Sequence, residues 1–99
     1  MLEKHIEAKV CNYAKLRDVL VYKFTSPARA AVPDRLFIAP GGRTWFCEFK
    51  RPGEKPTPAQ AREHQRLRDQ GAIVFVIDNA DSGKIMVDMM VEGTGDADS

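Results

Sequence analysis

The run AIVFVID, Ala72 to Asp78, is apolar at nearly every position, the pattern of a β-strand covered on both faces. Such a strand needs helices above and below its sheet, which directs the chain to an α/β fold. The segment before it supplies one helix. Thr57 is placed as N-cap, Pro58 suits the first helical position and Gln60 completes a capping box. Gly71 ends the helix after about Gln70. Ahead of that helix, Arg35–Ala39 and Thr44–Lys50 are two strand patterns joined by the turn PGGR. A helix joining the second of these to Ala72–Asp78 implies a right-handed parallel crossover, so the sheet is mixed.

Leu2, Ile6, Val10, Tyr13, Leu16 and Leu20 recur at helical spacing and predict an amphipathic helix from residue 2 to about residue 17. VLVYKF predicts a first strand, and TSPARAAVP, with Pro27 and Pro33, a loop. Residues 81–91 suggest a weak final helix or edge element. The expected order is therefore helix, three strands, helix, strand, a small mixed sheet flanked by helices. Ninety-nine residues suit one domain, expected over residues 1–91. EGTGDADS, residues 92–99, reads as a disordered acidic tail.

No apolar run approaches the roughly 18 residues of a membrane span, so no membrane partner is expected. Charges at Glu3, Lys4 and Glu7 are incompatible with a signal-peptide core, and the expected setting is cytoplasmic. Cys11 and Cys47 read as reduced, buried thiols rather than a disulfide framework. With His5 and His64 they supply four zinc ligands on paper, but the close ligand pairs of zinc sites are missing. Net charge is +1 and unevenly spread: +4 from Lys50 to Arg68, −5 from Asp78 to Ser99. A basic middle beside an acidic end fits a nucleic-acid face, or merely solvated helix faces.

VPDRLFIAPGGRTWFCEFKR, Val32 to Arg51, sets Asp34, Glu48 and Lys50 in otherwise apolar surroundings. A turn centred on Gly41 and Gly42 makes an antiparallel hairpin whose facing positions sum to about 83. Position 34 then faces 49, flanked by 48 and 50. Alternation puts Glu48 and Lys50 on one face, Cys47 and Phe49 on the other. Two neighbouring carboxylates repel unless a cation or a proton intervenes. Hard oxygen ligands with open positions suit Mg²⁺, and the backbone carbonyl of Phe49 can add a third protein ligand. Such an ion activates water and neutralises charge on a phosphate. Lys50 would orient or deprotonate that water, or offset charge in the transition state. The alternative is a salt-bridged cluster at a strand end, with Lys50 reaching solvent.

VPDRLFI followed by FCEFKRPGEKPTPAQ resembles the VRR-NUC (virus-type replication-repair nuclease) branch of the PD-(D/E)xK nucleases. There a proline–aspartate enters a strand, an ExK strand follows, and a glutamine opens the next helix. KFTSPARAAVPDR also resembles the loop before the aspartate in phage-type members, and the likeness runs from about Glu3 to Asp78. It implies a restriction-endonuclease-like core and Mg²⁺- or Mn²⁺-dependent hydrolysis of DNA phosphodiesters. Asp34 and Glu48 would be the metal ligands, Lys50 the catalytic lysine and Gln60 the assisting glutamine. One departure is Ala31, where relatives often carry glycine. The capping box alone also accounts for Gln60. The family has a glutamate on its first helix; Glu3 and Glu7 both border the apolar stripe, and Glu7, deeper in the helix, is the expected one.

Arg29, Arg43, Arg51, Lys55, Arg62 and Arg66 are candidates for phosphate contacts, which position DNA without reading bases. No recognition helix or zinc module is evident, which favours structure-selective recognition. Small stand-alone members of the family are similar to homodimeric resolvases of four-way (Holliday) junctions. Ile85, Met86, Met89 and Met90 could line a dimer interface or simply cover the sheet, and the second reading is preferred. Two other functions compete with an endonuclease: a non-catalytic branched-DNA-binding module, and a protein-interaction domain with a polar surface cluster.

Overall fold

The computed structural model describes residues 2–93. Four strands form one sheet in the order β1 (Leu20–Lys23), β2 (Arg35–Ile38), β3 (Thr44–Phe49), β4 (Val74–Ile77). The first three run antiparallel, and β4 joins β3 in parallel. The parallel pairing follows from the helical connection α2 (Pro58–Asp69), with α1 (Glu3–Leu16) and α3 (Ala80–Glu92) completing the fold. This is the expected α/β class.

The turn between β2 and β3 corrects the expected register by one position. Arg35 pairs with Cys47 and Ile38 with Thr44, so partner numbers add to 82 rather than 83. The Ala39 amide donates to the Arg43 carbonyl (2.8 Å), leaving Pro40, Gly41 and Gly42 as a three-residue turn. Gly41 (φ 93°) and Gly42 (φ 95°) both take left-handed backbone that favours glycine. Position 34 consequently lies opposite 48 instead of 49.

Alternation along β3 separates core from site. Trp45, Cys47 and Phe49 are fully buried in the main cluster with Ile6, Val10, Phe37 and Val87. The rings of Phe37 and Trp45 stack across β2 and β3 at 5.2 Å. Glu48 and Lys50 point to the other face. The most buried strand is therefore β3, whereas β4 sits at the sheet edge. Both α2 and α3 touch β4, yet only Val74 and Ile77 are buried and Ile73 is exposed.

Two helices depart from their sequence patterns. In α1 the buried stripe is Ile6, Val10, Cys11 and Ala14, while Leu2 and Leu16 are exposed. Asp18 (φ 63°) turns the chain after the helix, which buries Val19 and leaves Leu20 exposed on β1. The weak segment 81–91 is a full helix. Asn79 caps it by accepting from the Ser82 amide (2.8 Å), and Gly93 closes it in left-handed conformation (φ 61°). A Cβ on Gly83 would lie 2.3 Å from Val10 Cγ2, so glycine is what lets α3 meet α1 there. Met86, Val87 and Met90 are buried, whereas Ile85 and Met89 face outward. Residues 94–99, the greater part of the expected acidic tail, lie outside the described residues. No helix among the described residues is long and apolar enough to cross a membrane.

Candidate active site

Asp34 stands just before β2, and Glu48 and Lys50 stand at the end of β3. The observed register puts Asp34 and Glu48 on the same face. Asp34 Oδ2 accepts from the Phe49 amide at 2.8 Å, which locks the aspartate onto β3. The Phe49 carbonyl lies at the same point of the chain.

Glu48 is 2% exposed, Lys50 7% and His64 1%. Three charged or chargeable side chains so withdrawn from water need a physical reason, because buried charge is costly unless paired. Burial, reinforced by the charge of Asp34, pushes the Glu48 carboxyl up to about 8. Lys50 opposes that rise by favouring the ionised form. Its surroundings therefore favour the protonated form of Glu48.

Helix α2 grips Glu48 from two positions one turn apart. Gln60 Nε2 donates to Glu48 Oε2 at 3.2 Å, and His64 Nε2 lies 3.5 Å from Glu48 Oε1. Neither of those last two atoms has a hydrogen-bond partner, although both are buried. Burial, then the charges of Arg68 and Lys50, lower the His64 pKa, so its neutral form is favoured. Gln60 also completes the capping box: its Oε1 accepts from the Thr57 amide (2.9 Å) while Thr57 Oγ1 accepts from the Gln60 amide (3.1 Å). The two readings of Gln60 coexist in one side chain.

On the first helix Glu3 and Glu7 have different surroundings. Glu7 Oε2 is engaged by Arg35 Nε at 2.5 Å. Glu3 is raised by burial and then by the nearby charge of Asp34, with Lys50 acting in the opposite sense. By sequence alone, His64 figures only among four zinc ligands on paper, and Glu63 is not singled out as a site residue. The signal for His64 was its spacing of one turn from Gln60.

The six candidate cations divide. Arg29, Arg62 and Arg66 line one cleft beside α2. Arg51 pairs loosely with Glu54 (3.8 Å) and Lys55 follows in the same loop, which is pinned to the end of β4 by Gly53 donating to Asp78 (2.9 Å). Arg43 lies at the far end of β3 against Gly93, away from Glu48.

The chain as a whole is similar to known proteins. A phage protein named "Putative nuclease p44", from Acyrthosiphon pisum secondary endosymbiont phage 1, is 46% identical over 85 residues, 86% of this chain and 87% of its own. A solved structure described as a VRR_NUC domain superposes with a TM-score of 0.81 at 33% identity, covering 87% of this chain and 94% of its own. The chain belongs to the VRR-NUC family. A second VRR_NUC domain protein shares the fold at a TM-score of 0.76 and 18% identity, over 93% of this chain and 89% of its own. No protein-family model matches the chain.

Among the described residues, no group of three or more His, Cys, Asp or Glu side chains is placed to hold a metal ion. The donors present still fit a divalent ion of the magnesium type. Such an ion takes one or two carboxylates and keeps several waters, and Glu48 Oε1 is a buried oxygen without a partner. Cys11 and Cys47 are buried and free, and burial holds the Cys47 thiol well above its ordinary pKa. That disfavours the thiolate a zinc site needs.

Proposed function

We propose that this VRR-NUC protein is a Mg²⁺- or Mn²⁺-dependent endonuclease that hydrolyses phosphodiester bonds in branched DNA, four-way junctions in particular. The nuclease assignment rests on family membership and on the name of the phage relative. The supporting observation is that Asp34 stands beside the buried Glu48 and Lys50, with Glu48 held by Gln60.

Asp34, Glu48 and the Phe49 carbonyl would hold the ion, with Glu3 rather than Glu7 contributing from the first helix. When bound, it would lower the pKa of a water and neutralise phosphate charge. The protein's own groups do the rest. The Phe49 amide fixes Asp34, Gln60 fixes one oxygen of Glu48, and Lys50 brings a positive charge to where the transition state gathers negative charge. Withdrawal from water strengthens each of these interactions. A homodimer would present two such sites to two strands of a junction, and the outward Ile85 and Met89 on α3 offer apolar surface for it.

Incubation of a labelled four-way junction with Mn²⁺ tests this reading. Nicking is expected, and Lys50→Ala should lower it about a thousandfold while the melting temperature holds. Junction binding that is equally tight in EDTA, with no cleavage in either metal, would instead establish the non-catalytic binding module.

A further inference from the structure

The flank of α2 adjoining the Glu48 contacts carries a second charged arrangement that catalysis does not use. Ala59, Arg62, Glu63 and Arg66 form one stripe of the helix, and Arg29 approaches it from the 25–33 loop. Glu63 is 6% exposed. Its Oε1 accepts from Arg29 Nε at 2.8 Å and also faces Arg66 Nε at 3.3 Å. Both bonds use the inner edge of the guanidinium. Arg29 and Arg66 remain 48% and 62% exposed, so their outer N–H groups are open to a ligand. Arg62 lines the same hollow and makes no ion pair among the described residues. Three guanidiniums against one carboxylate leave a net charge of +2.

The hollow between these residues encloses about 350 Å³. It shares Arg29 and Ala30 with a neighbouring hollow of about 240 Å³, which is lined by Lys23, Thr25, Ser26 and Asp34. The two make one furrow that starts at Asp34 and ends among the arginines. A planar guanidinium with free edge donors matches a phosphate oxygen pair. Glu63 holds two of the three arginines in place before any ligand arrives.

We infer that the Arg29–Arg62–Arg66 cleft seats a non-scissile backbone phosphate of the DNA strand whose reacting phosphodiester lies at Asp34 and Glu48. The furrow fixes how far along the strand the enzyme holds on. This rests on the nuclease reading, but its test does not need cleavage. Binding of a short fluorescein-labelled duplex is followed by anisotropy in EDTA across a salt series. Arg62→Ala, which breaks no ion pair, should weaken binding about tenfold and reduce the slope of log affinity against log salt by about one. Arg29→Ala with Arg66→Ala should reduce the slope by about two, with unfolding checked by circular dichroism. In Mn²⁺, cleavage of a labelled four-way junction by Arg62→Ala should lose through KM. Unchanged affinity and slope in Arg62→Ala would overturn the cleft even if the protein cuts DNA. Saturable binding of inorganic phosphate that does not compete with DNA would overturn it as well, assigning the hollow to a free anion. Wild-type protein that binds DNA with the predicted slope but cleaves nothing removes the nuclease reading and leaves the cleft standing.

Discussion

Glu48 and Glu63 are both nearly buried acids touched by α2, and their environments push them in opposite directions. Glu48 is withdrawn from water beside the like charge of Asp34, with only Gln60 and a neutral-favoured histidine on its α2 side. Burial, followed by Asp34, raises its carboxyl to about 8. Glu63 meets Arg29 and Arg66, and the hydrogen bond from Arg29 holds it below the ordinary carboxylate range. Burial raises a carboxyl unless a cationic partner outweighs it. One flank of the helix keeps an acid in want of a cation, while the other has already supplied two.

The largest expected effect comes from removing the Glu48 titration. Its folded pKa stands above the ordinary 4.5, so the folded state holds the proton more tightly than the unfolded chain does. Stability of metal-free protein should therefore fall as pH rises from about 4.5 to about 8 and level off above that. Glu48→Gln should flatten this dependence and stabilise the protein above that window by on the order of 3 kcal/mol, read by denaturant titration. A wild-type curve that rises across the window would break the contrast. A smaller effect is expected at His64. His64→Leu should weaken Mn²⁺ binding tenfold to a hundredfold by calorimetry, with His64→Gln recovering part of the loss through its own side-chain donor. The smallest belongs to the satisfied acid. Glu63→Ala gives up ion pairs to half-exposed arginines and should barely move the unfolding midpoint in the same denaturant titrations.

Much of the site was legible because it depends on short-range rules. The PGG turn makes the hairpin, strand alternation sorts Glu48 and Lys50 from Cys47 and Phe49, and Thr57 with Gln60 marks the helix start. The register slipped by one because the turn holds three residues, a detail set by two left-handed glycines rather than by their presence. Helical periodicity could place Glu3 and Glu7 beside the stripe, but only the tertiary partner Arg35 distinguishes them. Likewise α3 was underread because Ser82 and Gly83 are poor helix formers. Packing against Val10 makes that helix, and the close approach is invisible in a linear sequence. The partnership of His64 with Glu48, and the burial of Glu63, are not legible because α2, with few apolar residues, looks like a solvated helix.

The amide of Gln60 spans two structures at once, its oxygen closing the helix start on Thr57 and its nitrogen grasping Glu48. Local melting at that first turn would accordingly untether the acid in the same event. Catalytic readiness is thereby hitched to whether one end of a twelve-residue helix is wound.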